Sequence, residues 1–219
     1  MNSGDNPSDK LEWERSRTRW RKAPAKWQHL TWGEELTGDA FIDKASKYAE
    51  FSADKQVLEI GPGYGRLLKS CLERDLPFAR YCGVDLSEET CVYLREQFPL
   101  DNAEFVTGDV ESASFDTTFD IVLSSLTLKH LFPTCETALE NVARSVSPGA
   151  VFCIDFMESE EPMKIWEEQD QSTFVRRYTR PELLEILERA GLEHVAFDEV
   201  RHLPDPRWWR LLVVARKPG

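Results

Sequence analysis

The 219-residue sequence lacks any run of about 18 apolar residues, the length that a membrane-spanning helix needs. Its N-terminus also lacks the apolar stretch of a secretory signal. We therefore expect no membrane partner and predict a cytoplasmic protein. The cysteines include no Cys-x-x-Cys pair, which predicts reduced core thiols and argues against a disulfide framework or a metal site. They are Cys71, Cys82, Cys91, Cys135 and Cys153.

Basic residues are also few, since 27 Lys and Arg stand against 39 Asp and Glu, giving a net charge of −12. Nonspecific affinity for nucleic acids depends on Lys and Arg that neutralise phosphates, so we expect no nucleic-acid partner. The basic residues are unevenly spread, because residues 1–31 hold seven of them against four acidic ones. This segment could dock on the acidic remainder, attract an anionic substrate, or form a solvated helix face.

Residues 1–36 are predicted to form an N-terminal arm or lid. Residues 1–8 are polar and rich in Asn, Ser and Pro, which favours disorder, and a helix is expected over 9–22. Tryptophans recur every seven residues along the arm, a spacing that predicts an apolar face packed on the core. The three are Trp13, Trp20 and Trp27. The arm could also join two copies of the chain in a homodimer.

Residues 37–219 are predicted to form one α/β domain, because strands and helices alternate along them. The predicted strands are 56–60, 80–85, 103–107, 119–124, 150–156, 193–200 and 210–216. The predicted helices are 37–50, 64–74, 88–97, 134–146 and 181–190. Such alternation gives a parallel sheet with helices on both faces. The Pro-Asp-Pro turn at 204–206 indicates an antiparallel strand at one edge.

A glycine-rich turn follows the first predicted strand. Glu59 lies in that strand, and Gly61, Gly63 and Gly65 follow it. Glycines at a strand-to-helix turn let the backbone approach a ligand and point unpaired N–H groups at it. A dinucleotide-binding loop has the spacing G-x-G-x-x-G, but here the third glycine comes one residue early and an acidic residue precedes the first. This arrangement favours a ligand with a cationic amino-acid moiety over one held by a pyrophosphate.

The motif E-x-G-x-G-x-G after an apolar strand resembles motif I of the class I S-adenosylmethionine (SAM) dependent methyltransferases, in their small-molecule branch. Further motifs match this family in order over about residues 50–157. Asp85 lies where an acidic residue accepts from both ribose hydroxyls, and Asp109 where one accepts from the adenine amino group. The cofactor SAM and its binding residues follow from the resemblance. These residues are Glu59, Gly61, Gly63, Gly65, Asp85, Leu86, Asp109, Val110 and Ser124.

The resemblance also implies the architecture of the sheet. It predicts a doubly wound sheet of seven mostly parallel strands in the order 3-2-1-4-5-7-6, with strand 7 antiparallel. The helical lid precedes this domain.

The acceptor site has weaker signals. His130 follows the fourth strand and is the candidate catalytic base, because its ordinary pKa near 6.5 suits proton removal; in many family members a histidine here is structural. The arginines of segment 174–179 favour a carboxylate, phosphate or sugar-type oxygen acceptor, although a salt-bridged surface strand would have the same sequence. No metal is expected, because Lys129 stands where some relatives have a glutamate. The candidate acceptor-binding residues are Trp32, Lys129, Arg176, Arg177 and Tyr178.

Together these motifs predict an enzyme that transfers a methyl group from SAM to a small-molecule or sugar-containing acceptor, with oxygen favoured over nitrogen. No Asn/Asp-Pro-Pro-Tyr/Phe and no Pro-Cys follows the fourth strand, which argues against methylation of nucleic-acid bases. Three alternatives stay open. They are N-methylation of a small metabolite, a non-catalytic SAM-binding protein that acts through the arm, and an NAD-dependent oxidoreductase.

Overall fold

A computed structural model describes residues 7–22, 36–169 and 171–219, which build a central sheet covered by helices. Its strands are β1 (Gln56–Ile60), β2 (Arg80–Asp85), β3 (Ala103–Thr107), β4 (Phe119–Ser124), β5 (Val146–Phe156), β6 (Met163–Gln169), β7 (Gln171–Arg177), β8 (Glu193–Arg201) and β9 (Trp209–Arg216). Its α-helices are α1 (Pro7–Arg21), α2 (Asp39–Ala45), α3 (Arg66–Glu73), α4 (Glu88–Gln97), α5 (Glu136–Ala143) and α6 (Arg180–Arg189). Short 3-10 helices lie at Leu128–His130 and Pro206–Trp208.

The main sheet has seven strands in the order β3-β2-β1-β4-β5-β9-β8. The pairs from β3 to β5 are parallel, and β9 is antiparallel to both β5 and β8. When only the strands of this sheet are numbered along the chain, the order is 3-2-1-4-5-7-6. The predicted doubly wound fold is therefore confirmed.

Burial on both faces explains why the central strands are almost wholly apolar. Leu58 and Ile60 of β1 pack on the face covered by α5 and α6, whereas Val57 packs on the face covered by α2, α3 and α4. This alternation keeps the strands rigid and aligns the C-terminal ends of β1 to β4 along one edge.

The structure differs from the sequence-based prediction after β5. Strands β6 and β7 form a separate antiparallel hairpin, although the sequence analysis placed no strand there. The run of acidic and amide residues at 167–171 hides the alternation that would mark a hairpin. Strand β5 also begins at Val146 instead of residue 150. Helix α2 ends at Ala45 instead of residue 50, since Tyr48 N–H already bonds three residues back, to the Ala45 carbonyl oxygen.

Helix α1 packs on the hairpin and on the 3-10 helix that holds His130. The Phe174 amide of β7 donates to Ser16 Oγ at 3.1 Å, and the Trp20 ring lies 4.6 Å from the His130 ring. The predicted helix at 9–22 is thus observed as Pro7–Arg21, so the expected disorder is wrong for the last two residues of segment 1–8. The rest of that segment, together with Trp27 and Trp32, lies outside the described residues.

All five cysteines are buried and free of disulfides, as predicted. In the described ranges, no group of His, Cys, Asp and Glu side chains is arranged to hold a metal ion. No helix in these same ranges is long and apolar enough to cross a membrane.

Candidate functional site

A cavity of about 1420 Å³ opens at the C-terminal ends of β1, β2, β3 and β4. Parallel sheets of this kind bind ligands at these strand ends, where the strand order reverses. The volume exceeds the roughly 300–1,000 Å³ of an ordinary small-molecule pocket, so the cavity has room for a cofactor and a second molecule. Helix α1 and the residues before β9 complete its walls.

Two of the three predicted glycines line the cavity. Gly61 and Gly63 have φ angles of 67° and 55°, a left-handed conformation that glycine adopts without strain. A Cβ atom on Gly61 would lie only 2.5 Å from Thr127 Oγ1, so the turn has no room for a side chain at this position. Gly65 lies off the cavity, where a Cβ atom would clash with Leu94 and Phe98 of the α4 region. Its role is to let α3 pack closely.

Glu59 lies buried behind the turn and does not line the cavity. Its carboxyl group accepts a short hydrogen bond from Tyr81 Oη. Burial raises the pKa of Glu59 to about 7, although the Tyr81 hydroxyl and the positive charge of Arg66 act in the opposite direction. Glu59 is therefore placed to support the turn from beneath.

Asp85 ends β2 and lines the cavity together with Leu86. Its carboxylate accepts from the backbone N–H groups of Ser87 at 2.9 Å and Gly63 at 3.4 Å, which join the end of β2 to the glycine turn. Burial raises the pKa of Asp85 to about 6 against these hydrogen bonds. A partly dehydrated carboxylate here suits a ligand that donates hydrogen bonds.

Asp109 and Val110 follow β3 and also line the cavity. Arg17 of α1 forms an ion pair with Asp109 and reaches Glu111 at 3.5 Å. Helix α1 therefore closes over the β3 side of the cavity. A ligand amino group that bonds to Asp109 would share this carboxylate with Arg17.

At the end of β4 the structure separates two neighbouring serines. Ser124 is fully buried and donates to the Ile60 carbonyl oxygen at 3.2 Å, so its side chain joins β4 to β1 and does not line the cavity. Ser125 lines the cavity and donates to Asp155. This serine had no sequence signal beyond its place next to the predicted one.

Asp155 anchors a buried polar cluster beneath the cavity. Its carboxylate accepts from Ser125, from His202 Nε2 at 2.8 Å and from the Leu126 amide at 2.7 Å. Burial alone would raise the pKa of Asp155, but the bond and charge of His202, with the other donors, lower it to about 2. The sequence analysis missed His202, because it comes from the distant connection between β8 and β9.

His130 lies at the cavity wall and is held on two sides. Its Nδ1–H donates to the Phe174 carbonyl oxygen at 2.8 Å, and Trp20 packs against its ring. Burial, followed by the positive charge of Lys129, lowers the pKa of His130 to about 3. The imidazole is therefore neutral at physiological pH.

The other acceptor-site candidates divide into two groups. Lys129 and Arg177 line the cavity. Arg176 is buried in an ion pair with Glu182, and the fully buried Tyr178 accepts from the Cys135 amide at 3.0 Å, so neither lines the cavity. Trp32 lies outside the described residues.

Several cavity residues had no place in the sequence-based site. Arg66 directly follows the last glycine, a signal that could have been used, and it is nearly buried at 9% exposure. Met157, Trp208 and Arg210 line the cavity from the chain after β5 and from the start of β9. Nothing in the sequence indicates that these distant segments meet.

Comparisons with known proteins agree with this geometry. Residues 58–154 match the family model described as a methyltransferase domain. The chain is 30% identical over 154 residues to a phthiotriol/phenolphthiotriol dimycocerosates methyltransferase of Mycobacterium tuberculosis, covering 68% of this chain and 56% of that protein. It is 37% identical over 99 residues to a fatty-acid O-methyltransferase of Mycolicibacterium smegmatis, covering 45% of this chain and 35% of the relative. The chain thus spans about half the length, or less, of these relatives.

A solved structure shares the fold over the full chain. It is the 1,6-didemethyltoxoflavin-N1-methyltransferase of Burkholderia thailandensis, crystallised with 1,6-didemethyltoxoflavin and S-adenosylhomocysteine (SAH). The TM-score is 0.71 at 24% identity, covering 100% of this chain and 93% of that one. The sheet order, the glycine turn with its acidic strand ends, and the domain match agree. The chain therefore has the fold of the class I SAM-dependent methyltransferases, and its residues 58–154 match a methyltransferase domain.

Proposed function

We propose that this chain transfers the methyl group of SAM to an oxygen atom of a small-molecule acceptor. The observation that carries the proposal is the division of one large cavity into two ends. Gly61, Gly63, Asp85 and Asp109 line the end formed by β1, β2 and β3, which leaves the β4 side for an acceptor. The preference for oxygen rests on a relative, the fatty-acid O-methyltransferase.

The residues at the β1–β3 end fit SAM. The close approach of Thr127 to Gly61 leaves the turn no room for a side chain, so its backbone is the surface that a ligand meets. Asp85 would accept from the ribose hydroxyls, and Asp109 with Val110 and Leu86 would surround the adenine. When bound, SAM supplies a methyl group that is already activated by its positive sulfur.

His130 is assigned a positioning role in this proposal. An imidazole with a pKa of about 3 is a weak proton acceptor near neutral pH. Its hydrogen bond to β7 and its packing on Trp20 instead connect three elements at the acceptor end. These are α1, the β6–β7 hairpin and the loop after β4 (residues 125–131, the β4 loop). An acceptor that arrives deprotonated needs no general base. The role as base that the sequence suggested for His130 is then not required.

Cofactor choice and turnover test the proposal directly. Calorimetric titration is expected to show binding of SAH and no binding of NAD. SAM with a panel of hydroxyl, carboxyl and amino compounds is then expected to give SAH and a product heavier by one CH2, with methyl on oxygen. Binding of NAD alone, or SAH binding without turnover of any acceptor, would contradict the proposal; the second outcome would favour the non-catalytic alternative.

The affinity for SAH is expected to depend on pH through Asp85. Ribose hydroxyls donate to a carboxylate, and Asp85 has a pKa of about 6 in the free protein. Protonation below this value removes the acceptor, so the Kd for SAH should rise by about tenfold per pH unit as the pH falls below 6. Calorimetry from pH 5 to pH 8 measures this slope. Asp85→Asn should weaken binding at pH 8 and abolish the slope, whereas the exposed Asp101→Asn should leave both unchanged.

A further inference from the structure

Charge is unevenly distributed around the cavity, in an order that follows the sheet. Among the described lining residues, nine are basic and three are acidic, although the whole chain has a net charge of −12. The acidic ones are Asp85, Asp109 and Glu111, which follow β2 and β3. Lys129, Arg177 and Arg210 lie on the opposite side of β1, around β4, β7 and β9. The described side chains that line the acceptor end are therefore mainly cationic, and the buried Asp155 carboxylate lies beneath them, bonded to Ser125.

Positively charged side chains also surround His130. After burial, the charges that lower its pKa are those of Lys129, Arg19 and Arg210. These three cations come from the arm, the β4 loop and β9, so they surround the acceptor end from separate elements. A negatively charged acceptor would be attracted to this end and a cationic one repelled.

The described lining residues offer poor means to deprotonate a neutral acceptor. His130 is neutral and weakly basic, because burial and the charge of Lys129 lower its pKa to about 3 against the hydrogen bond to Phe174, which raises it. Ser125 is bound to Asp155, whose carboxylate accepts three hydrogen bonds and has a pKa of about 2. An alcohol keeps its proton at neutral pH and needs a base, whereas a carboxylic acid has already lost its proton.

Apolar side chains lie beside these cations. Four of them line the cavity from α1, the loop after β4, the residue after β5 and the 3-10 helix before β9: Trp20, Leu131, Met157 and Trp208. Such a wall favours an acceptor whose anionic head joins an apolar body.

We propose that the acceptor is a carboxylic acid with an apolar body, bound as its carboxylate, and that Arg177 helps to hold the carboxylate. This inference rests on the proposed function and names its substrate class. A carboxylate oxygen bonds to the methyl carbon as the carbon–sulfur bond breaks, and the sulfur keeps the electron pair of that bond. The products are a methyl ester and SAH, and no proton is removed.

Four compounds with the same alkyl chain test the proposal: octanoic acid, 1-octanol, octylamine and octyl phosphate. With SAM, octanoate is expected to give methyl octanoate, while the other three give less than about a tenth of its kcat/KM. Transfer to the alcohol, the amine or the phosphate in preference to octanoate would overturn the inference but leave methyl transfer established.

Arg177→Gln tests the positioning residue. Loss of the cation should raise the KM for octanoate by about tenfold, while the Kd for SAH changes by less than about twofold. Arg177→Lys keeps the charge and should have an intermediate KM. Arg189→Gln removes an exposed arginine of α6 as the matched control and should leave KM unchanged. Circular dichroism confirms folding of each variant, and an unchanged KM in a folded Arg177→Gln protein contradicts the role of Arg177.

Binding measurements distinguish a failure of the carboxylate inference from a failure of the proposed function. Octanoate should bind the SAH complex in a calorimetric titration. Failure of octanoate to bind, or binding without transfer from SAM, would overturn the carboxylate inference. Failure of SAH itself to bind would instead overturn the proposed function.

Discussion

Replacing Gly61 with alanine is expected to lower kcat/KM by roughly 100-fold, because a displaced turn moves the backbone that we propose holds SAM. The new Cβ atom would lie 2.5 Å from Thr127 Oγ1 and 2.9 Å from Thr127 Cβ, at a φ of 67°. Overpacking and the left-handed conformation together should lower the free energy of unfolding by about 3 kcal/mol. Urea unfolding measures the loss of stability. Turnover of SAM, with SAH titration beside it, measures the second effect at a temperature where the variant is folded.

Gly149 is the matched control for this substitution. Its φ is 84°, also left-handed, but no atom lies within 4 Å of a Cβ built there, and it does not line the cavity. Gly149→Ala should therefore lower the free energy of unfolding by only about 1 kcal/mol and leave SAH affinity unchanged. Equal losses in the two variants would show that conformation alone, and not the contact with Thr127, restricts Gly61.

Glu59→Gln is expected to stabilise the protein without ligand at high pH. Burial raises the pKa of Glu59 from 4.5 to about 7 in the folded state, so the folded protein holds this proton more tightly than the unfolded chain. The resulting stability is present in full below pH 4.5 and is lost as the pH rises through 7. A pKa shift of this size corresponds to about 3 kcal/mol of stability. The Glu59→Gln variant keeps this stability at high pH because its amide stays neutral. The Tyr81 hydroxyl can still donate to the amide oxygen.

Urea unfolding at pH 5 and pH 8 measures this difference. The variant should exceed the original protein by about 3 kcal/mol at pH 8 and by little at pH 5. Glu73→Gln removes one exposed carboxylate of α3 and controls for the change in net charge. A pH-independent difference between the Glu59→Gln variant and the original protein would show that folding does not raise the pKa of Glu59.

The lining at the β1–β3 end of the cavity, which we propose holds the cofactor, was largely predictable because its residues are local to strand ends. Asp85 and Asp109 each follow a recognisable apolar strand, and parallel strands bring such ends to one edge. The prediction was less successful within each motif. Gly65 and Ser124 serve packing, and Ser125 lines the cavity in place of its neighbour, because orientation changes from one residue to the next at the end of a strand.

The acceptor end was predicted poorly. Arg176, Arg177 and Tyr178 are adjacent in sequence, but only Arg177 lines the cavity, since the alternation of β7 and the packing of α6 bury the other two. The homodimer and the boundary between arm and domain at residue 36 stay predictions.

The sequence by itself determined the strands and the glycine turn, because these depend on residues close together in the chain and on a regular period, and the sheet order followed from the resemblance to the methyltransferases. The tertiary structure alone decided what surrounds the acceptor. That end is assembled from α1, the β4 loop, the β6–β7 hairpin and the start of β9, which are separated by long stretches of sequence. Their meeting depends on packing between distant elements, and so do the neutral state of His130 and the positive charge around it.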